Sequence, residues 1–132
     1  MISLIENARI NTIGGKNIMS KLQTISTDDL QRRLQKDGSF QFWNVLTDKY
    51  FKGEMIPGSR RVPLDQVGRE VLRAQIPKDV EIIVYCAGPS CPQSILAAEK
   101  LNNLGYTDVK AYEGGIEEWK SAGNKVEQLR AA

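Results

Sequence analysis

Val80-Glu81-Ile82-Ile83-Val84-Tyr85-Cys86-Ala87-Gly88-Pro89-Ser90-Cys91-Pro92-Gln93-Ser94 is the stretch whose reading decides the fold. Residues 80–85 are nearly all apolar, the strongest strand signal in the chain. A strand that is apolar at successive positions, not only at alternate ones, is one buried on both faces, as in the middle of a parallel sheet. Cys86 stands at its carboxyl end. The loop from Cys86 to Gln93 is punctuated by Gly88, Pro89 and Pro92. Beyond it, Ala97, Leu101 and Leu104 line one face of a helix that Gly105 closes.

Working outward, Ser26-Thr27-Asp28-Asp29 reads as a helix start, with Ser26 placed to cap the Asp29 amide and acidic residues in the first turn. Leu30 and Leu34 follow at helical spacing, and Gly38 is expected to end the helix. Phe40 to Val45 is rich in strand formers and predicts a buried strand. Ile56-Pro57-Gly58-Ser59 is a turn, and Val62 lies in a short strand that Pro63 closes. Leu64, Val67, Val71 and Leu72 recur at helical spacing, with Pro77 as the stop. Val109 to Tyr112 forms another strand, and Gly114-Gly115 opens a last helix with Ile116 and Trp119 on one side. The alternation predicts an α/β domain: a central parallel sheet of about five strands, flanked by helices on both faces. Residues 1–21, interrupted by Gly14-Gly15, read as an N-terminal extension, and residues 22–132 as the domain.

A length of 132 residues suits one domain, and 41% hydrophobic with 26% charged residues is a globular balance. The net charge of +2 is spread along the chain, so no nucleic-acid partner is expected. No apolar stretch approaches a membrane span, and the N-terminus lacks the order of a signal peptide. The cytoplasm is the expected compartment, where cysteines are thiols more often than disulfides. There is no histidine, which excludes Ser-His-Asp and Cys-His pairs and His-ligated metals. Cys86 and Cys91 alone fall short of a four-thiolate zinc site, so no metal and no cofactor are expected.

Chemistry without an imidazole base falls to Cys86. In open parallel sheets, sites form at the carboxyl ends of strands, where loops turn into helices. The thiolate is the nucleophile, and a free thiol has a pKa of about 8.5. Lowering that by about two requires about 2.7 kcal/mol in favour of the anion. Backbone amides and the following helix end are the available source. Pro89 and Pro92 have no N–H, which leaves the amides of Ala87, Gly88, Ser90, Cys91, Gln93 and Ser94 to surround the sulfur and hold it anionic and exposed. Gly88 permits unusual backbone angles. Such a cradle suits a thiolate, a persulfide or a small oxyanion.

At these residues the chain resembles the rhodanese (thiosulfate sulfurtransferase) homology domain. The resemblance runs from about residue 22 to 124. It rests on Ile82-Ile83-Val84-Tyr85 delivering Cys86, then Ala97-Ala98-Glu99-Lys100-Leu101 and Leu104-Gly105-Tyr106. Glu113-Gly114-Gly115-Ile116 with Trp119 matches the family's closing segment, and Ile56-Pro57-Gly58-Ser59 before Val62-Pro63-Leu64 matches its turn and strand. The resemblance implies a parallel sheet flanked by helices and a loop cysteine, Cys86, that accepts sulfur as a persulfide. That sulfur then passes to a thiophilic acceptor such as cyanide or a protein thiol.

The chain also departs from the family. Asn44-Val45-Leu46 stands where Asp-Val-Arg is usual, and Gly53-Glu54-Met55 where Gly-His is usual. The loop is longer than the usual sulfurtransferase form, and Cys91 or Gln93 replaces its arginine. Fewer arginines attract a doubly charged donor less, so weak thiosulfate turnover is expected, with a small persulfide or a protein persulfide as donor. Cys91 has a second reading as a resolving or relay thiol. Arg60-Arg61 reads as exposed charge or an anion contact, and Trp43 and Trp119 as core. Two other functions compete: a cysteine-dependent phosphatase or arsenate reductase, which would need the missing loop arginine, and a non-catalytic module that binds a partner or senses oxidants.

Overall fold

The computed structural model describes residues 22–36 and 39–129. The expected extension over 1–21 and the expected helix stop at Gly38 lie outside them. The chain runs β1 (Gln23–Thr24), α1 (Thr27–Gln35), β2 (Gln41–Asn44), β3 (Glu54–Met55) and β4 (Arg60–Arg61). A 3-10 turn at Leu64–Gln66 leads into α2 (Val67–Arg73). Then follow β5 (Ile82–Tyr85), α3 (Gln93–Asn103), β6 (Val109–Tyr112), α4 (Gly115–Ser121) and β7 (Glu127–Gln128).

Five strands form one parallel sheet in the order β1-β6-β5-β2-β4, with β5 at its centre. Every residue of β5 is buried, as its unbroken apolar run requires. Successive side chains leave a strand on opposite faces. Ile82 and Val84 therefore pack with Val67 and Val71 of α2 and Ala97 and Leu101 of α3, whereas Ile83 and Tyr85 pack with Leu30 of α1 and Ile116 and Trp119 of α4. The α/β class, the parallel sheet and the helices on both faces are as the sequence predicts. Ser26 caps α1 through the Asp29 amide, 3.1 Å from its hydroxyl.

The register brings Asn44 of β2 and Tyr112 of β6 level with Tyr85. The chain leaves all three strands on one rim, and Cys86 occupies its middle.

Other expectations fail at the element ends. Leu72 is 80% exposed because α2 buries Val67 and Val71, and the next residue is turned about 100° away. Leu104 is 41% exposed, since α3 ends at Asn103 and Leu104 is its cap. The helix α2 ends at Arg73, ahead of Pro77, and Gln75 takes the left-handed conformation at φ 52°. The antiparallel pairing of β3 with β7 has no signature in the sequence, because strands of two residues carry no periodic signal.

Tyr85 ties the sheet to the Ile56–Ser59 turn. Its hydroxyl accepts from the Ile56 amide at 2.9 Å and shares a hydrogen bond with Ser59 Oγ at 2.7 Å. Burial pushes its pKa up. Tyr85→Phe leaves the buried Ile56 amide unpaired, so urea unfolding should show a loss of about 1–3 kcal/mol with an unchanged slope.

Candidate active site

The loop places Cys86 at the end of β5 and against the first turn of α3, and the residue is 0% exposed. Its thiol donates to the Cys91 carbonyl at 3.4 Å, and its sulfur accepts from the Ser94 amide, also at 3.4 Å. Ser94 lies in the first turn of α3, whose leading amides have no carbonyl partner within the helix. Burial is the largest influence on the Cys86 thiol and pushes its pKa up; the neighbouring Cys91 thiol pushes the same way, while the Ser94 hydroxyl and amide pull it down. In this state the sulfur is a covered, protonated thiol.

Among the described residues, one expected donor, the Ser94 amide, reaches the sulfur. The Cys91 amide instead closes a turn onto the Gly88 carbonyl at 3.0 Å, and the Cys91 side chain is half-buried beside Cys86. No hydrogen bond to the sulfur comes from the amides of Ala87, Gly88, Ser90 or Gln93 among the described residues, and Ser90 is exposed. The expected exposed anion within a ring of amides is therefore corrected to a buried thiol with a single amide donor. The cause is the local turn, which spends its donor within the loop, and the Cys91 carbonyl, which favours the protonated form.

Neighbouring segments fix the loop in place. The Ile116 and Glu117 amides donate to the carbonyls of Cys86 and Ala87 at 3.1 and 2.9 Å. This approach needs Gly115, which has φ +60° and where a Cβ would lie 2.5 Å from the Cys86 carbonyl oxygen. Gly88, although free to do so, does not take a positive φ. A Cβ there would meet the Glu117 carboxylate at 2.6 Å, the far end of an exposed side chain that can move aside. Gln93 is engaged with Thr47, accepting from its amide at 2.9 Å and donating to its hydroxyl at 3.2 Å.

On the other side, buried Asn44 accepts from the Leu46 amide at 3.1 Å and donates to the Glu54 carbonyl at 3.2 Å. Arg61 donates to the Asn44 and Leu46 carbonyls at 3.2 and 2.6 Å, pairs with Asp48 at 2.8 Å, and lies 4.0 Å from the Phe51 ring centre. Arg60 points outward to Glu70. Sequence reasoning missed this fastening role of Arg61; the only available signal was that adjacent strand residues face opposite ways.

A cleft of about 480 Å³ opens beside the loop, lined by Leu46, Tyr50, Lys52, Glu54, Ala87, Ile116, Glu117, Lys120 and Ser121. Cys86 itself does not line it. Lys120 pairs with Glu54 at 2.7 Å, so the wall carries both signs of charge. Among the described residues no group of three or more His, Cys, Asp or Glu side chains is placed to hold a metal, and no helix is long and apolar enough to cross a membrane.

The sequence pattern of the rhodanese-like domain matches residues 26–122. The chain belongs to the rhodanese-like domain family. It is 28% identical to the adenylyltransferase and sulfurtransferase UBA4 of Meyerozyma guilliermondii, with 83% of this chain and 26% of that protein aligned. The chain thus spans about a quarter of that relative's length. Among solved structures, the BH2092 protein of Bacillus halodurans is 28% identical, with a TM-score of 0.70 over 83% of this chain and 79% of that one. The thiosulfate sulfurtransferase of Pseudomonas aeruginosa shares the fold at 22% identity, with a TM-score of 0.73 over 86% of this chain and 21% of that one.

Within this rhodanese-like domain, the departures noted in the sequence become contacts. Asn44 uses both ends of its amide to hold the rim, Leu46 gives the cleft an apolar wall, Glu54 neutralises Lys120, and Gln93 fastens the loop.

Gly115→Ala places a methyl against the loop backbone at a left-handed position. Thermal melting should show a loss of more than about 1 kcal/mol, and Cys86 should alkylate faster as the loop is displaced. The pH dependence has a definite sign. The folded pKa of Cys86 lies above the unfolded one, so the stabilisation is full below the ordinary thiol value and is lost as pH rises through the folded value. Denaturation across that alkaline range should show stability falling with pH, and Cys86→Ser should flatten the decline.

Proposed function

We propose that this rhodanese-like domain transfers sulfur through a persulfide on Cys86. The observation that carries the reading is the position of the Cys86 sulfur at the start of α3, 3.4 Å from the Ser94 amide, at the end of the central strand. A helix's leading amides favour an anion there. The Cys86 thiolate attacks the outer sulfur of a donor R–S–SH; the donor's S–S bond breaks and R–S⁻ leaves, giving Cys86–S–SH. An acceptor thiolate then attacks the same outer sulfur and the Cys86 thiolate is released. Burial holds the resting thiol protonated, so the loop opens and the proton departs before attack.

The donor is a small persulfide or a protein persulfide, and the acceptor a small or protein thiol. The amides of Ala87, Gly88, Ser90, Cys91, Gln93 and Ser94 are the groups available to bind the transferred sulfur once the loop opens. Thiosulfate is a poor donor on this reading. Arg61 is committed to the rim, Glu54 neutralises Lys120, and no arginine lies in the loop to draw in a dianion.

A second reading is favoured by the same burial: a rhodanese-like module that binds a partner without transferring sulfur. Incubation with a small-molecule persulfide followed by intact mass measurement decides between them. One added sulfur in the native chain, absent in Cys86→Ser, is the expected result. No added sulfur in a folded chain supports the second reading. Thiosulfate:cyanide turnover should be weak, and robust turnover contradicts the donor assignment.

A further inference from the structure

Ser94 is wholly buried, and its hydroxyl has no hydrogen-bond partner among the described residues. That is an unfavourable arrangement, since a buried hydroxyl without a partner costs about 1–3 kcal/mol. The residue sits in the first turn of an 11-residue helix, and its own amide already points at the Cys86 sulfur from 3.4 Å. Facing that sulfur are the Cys91 carbonyl, which takes the thiol hydrogen, and the Cys91 thiol. Glu117 of α4 packs against the loop at Gly88. With the thiol hydrogen directed to Cys91, the neutral sulfur is only a weak acceptor for the hydroxyl at residue 94. Loss of that hydrogen leaves an anion, a far stronger acceptor, and the hydroxyl then acquires a partner.

We propose that the Ser94 hydroxyl is a catalytic donor held in reserve for the anionic form of the Cys86 sulfur. It is unpaired in the resting thiol and hydrogen-bonded to the thiolate that attacks the donor and is regenerated by the acceptor. The inference rests on the sulfur-transfer reading for its purpose, though the hydrogen bond itself can be tested without any sulfur donor. A charge-assisted O–H···S⁻ bond is stronger than a neutral one and exists in only one protonation state. It therefore biases the thiol equilibrium toward the anion. The influence of Ser94 on the Cys86 thiol already runs in that direction.

The test is Ser94→Ala in the full chain, with Cys86 alkylation by iodoacetamide followed by peptide mass from pH 6 to about 10, near the range in which thiols ionise. The midpoint should rise by about one pH unit. At a fixed pH below it the rate should fall by between about three- and tenfold, the smaller figure arising because a more basic thiolate is more nucleophilic. The melting temperature should stay level or rise, because the substitution removes a polar group that was paired with nothing. A structural role predicts the reverse pattern. An unmoved alkylation profile, or a lower melting temperature, overturns the proposal. Persulfide loading of the native chain, read by intact mass, separately tests the sulfur-transfer reading, so the two can fail independently.

Discussion

Two amides at the start of α4 reach the carbonyls of Cys86 and Ala87, and they do so across a gap with no room for a single methyl group. Gly115 makes this closeness possible, and much of the rim follows from it. With the backbone on either side of the cysteine held from α4, the loop turns inward at Gly88, where Glu117 fills the space a side chain would take. The far end of the loop enters α3 through Gln93, which is bound to Thr47 on the neighbouring strand exit. Segments distant in sequence thus converge on the eight residues from Cys86 to Gln93. The sheet supplies the platform: β2, β5 and β6 end level with one another.

Opposing influences meet at the sulfur. Burial, the Cys91 carbonyl and the Cys91 thiol favour the neutral form, and the first turn of α3 favours the anion. Burial dominates in this state. Reactivity therefore depends on a change that weakens the first set more than the second. Opening of the loop would do this, because it would admit water and remove the carbonyl while Ser94 stays anchored in the helix.

Much of this architecture is legible in the amino-acid sequence. The run Ile82–Tyr85 marks the central strand because burial on two faces demands apolar residues at every position, and Gly105 marks the end of α3 because the chain there takes φ +100°. Cys86 is likewise placed by the end of its strand. The surroundings of its sulfur are not legible. Whether loop amides turn inward depends on a set of backbone angles that Pro89 and Pro92 limit without fixing. The Arg60-Arg61 pair shows the same difficulty: in the sequence the two are alike, yet pairing with β2 turns one toward Glu70 and the other under the rim. Resemblance to other rhodanese-like chains places the cysteine, but the substitutions at Asn44, Glu54 and Gln93 acquire meaning only from their partners in space.

Covering Cys86 has an effect on durability as well as on speed. Peroxides and stray electrophiles attack thiolates that solvent can reach, and a neutral sulfur beneath its own loop offers them neither charge nor access. The cover over the sulfur thus protects it against irreversible over-oxidation. The half-buried Cys91 stands nearer the solvent than Cys86 does.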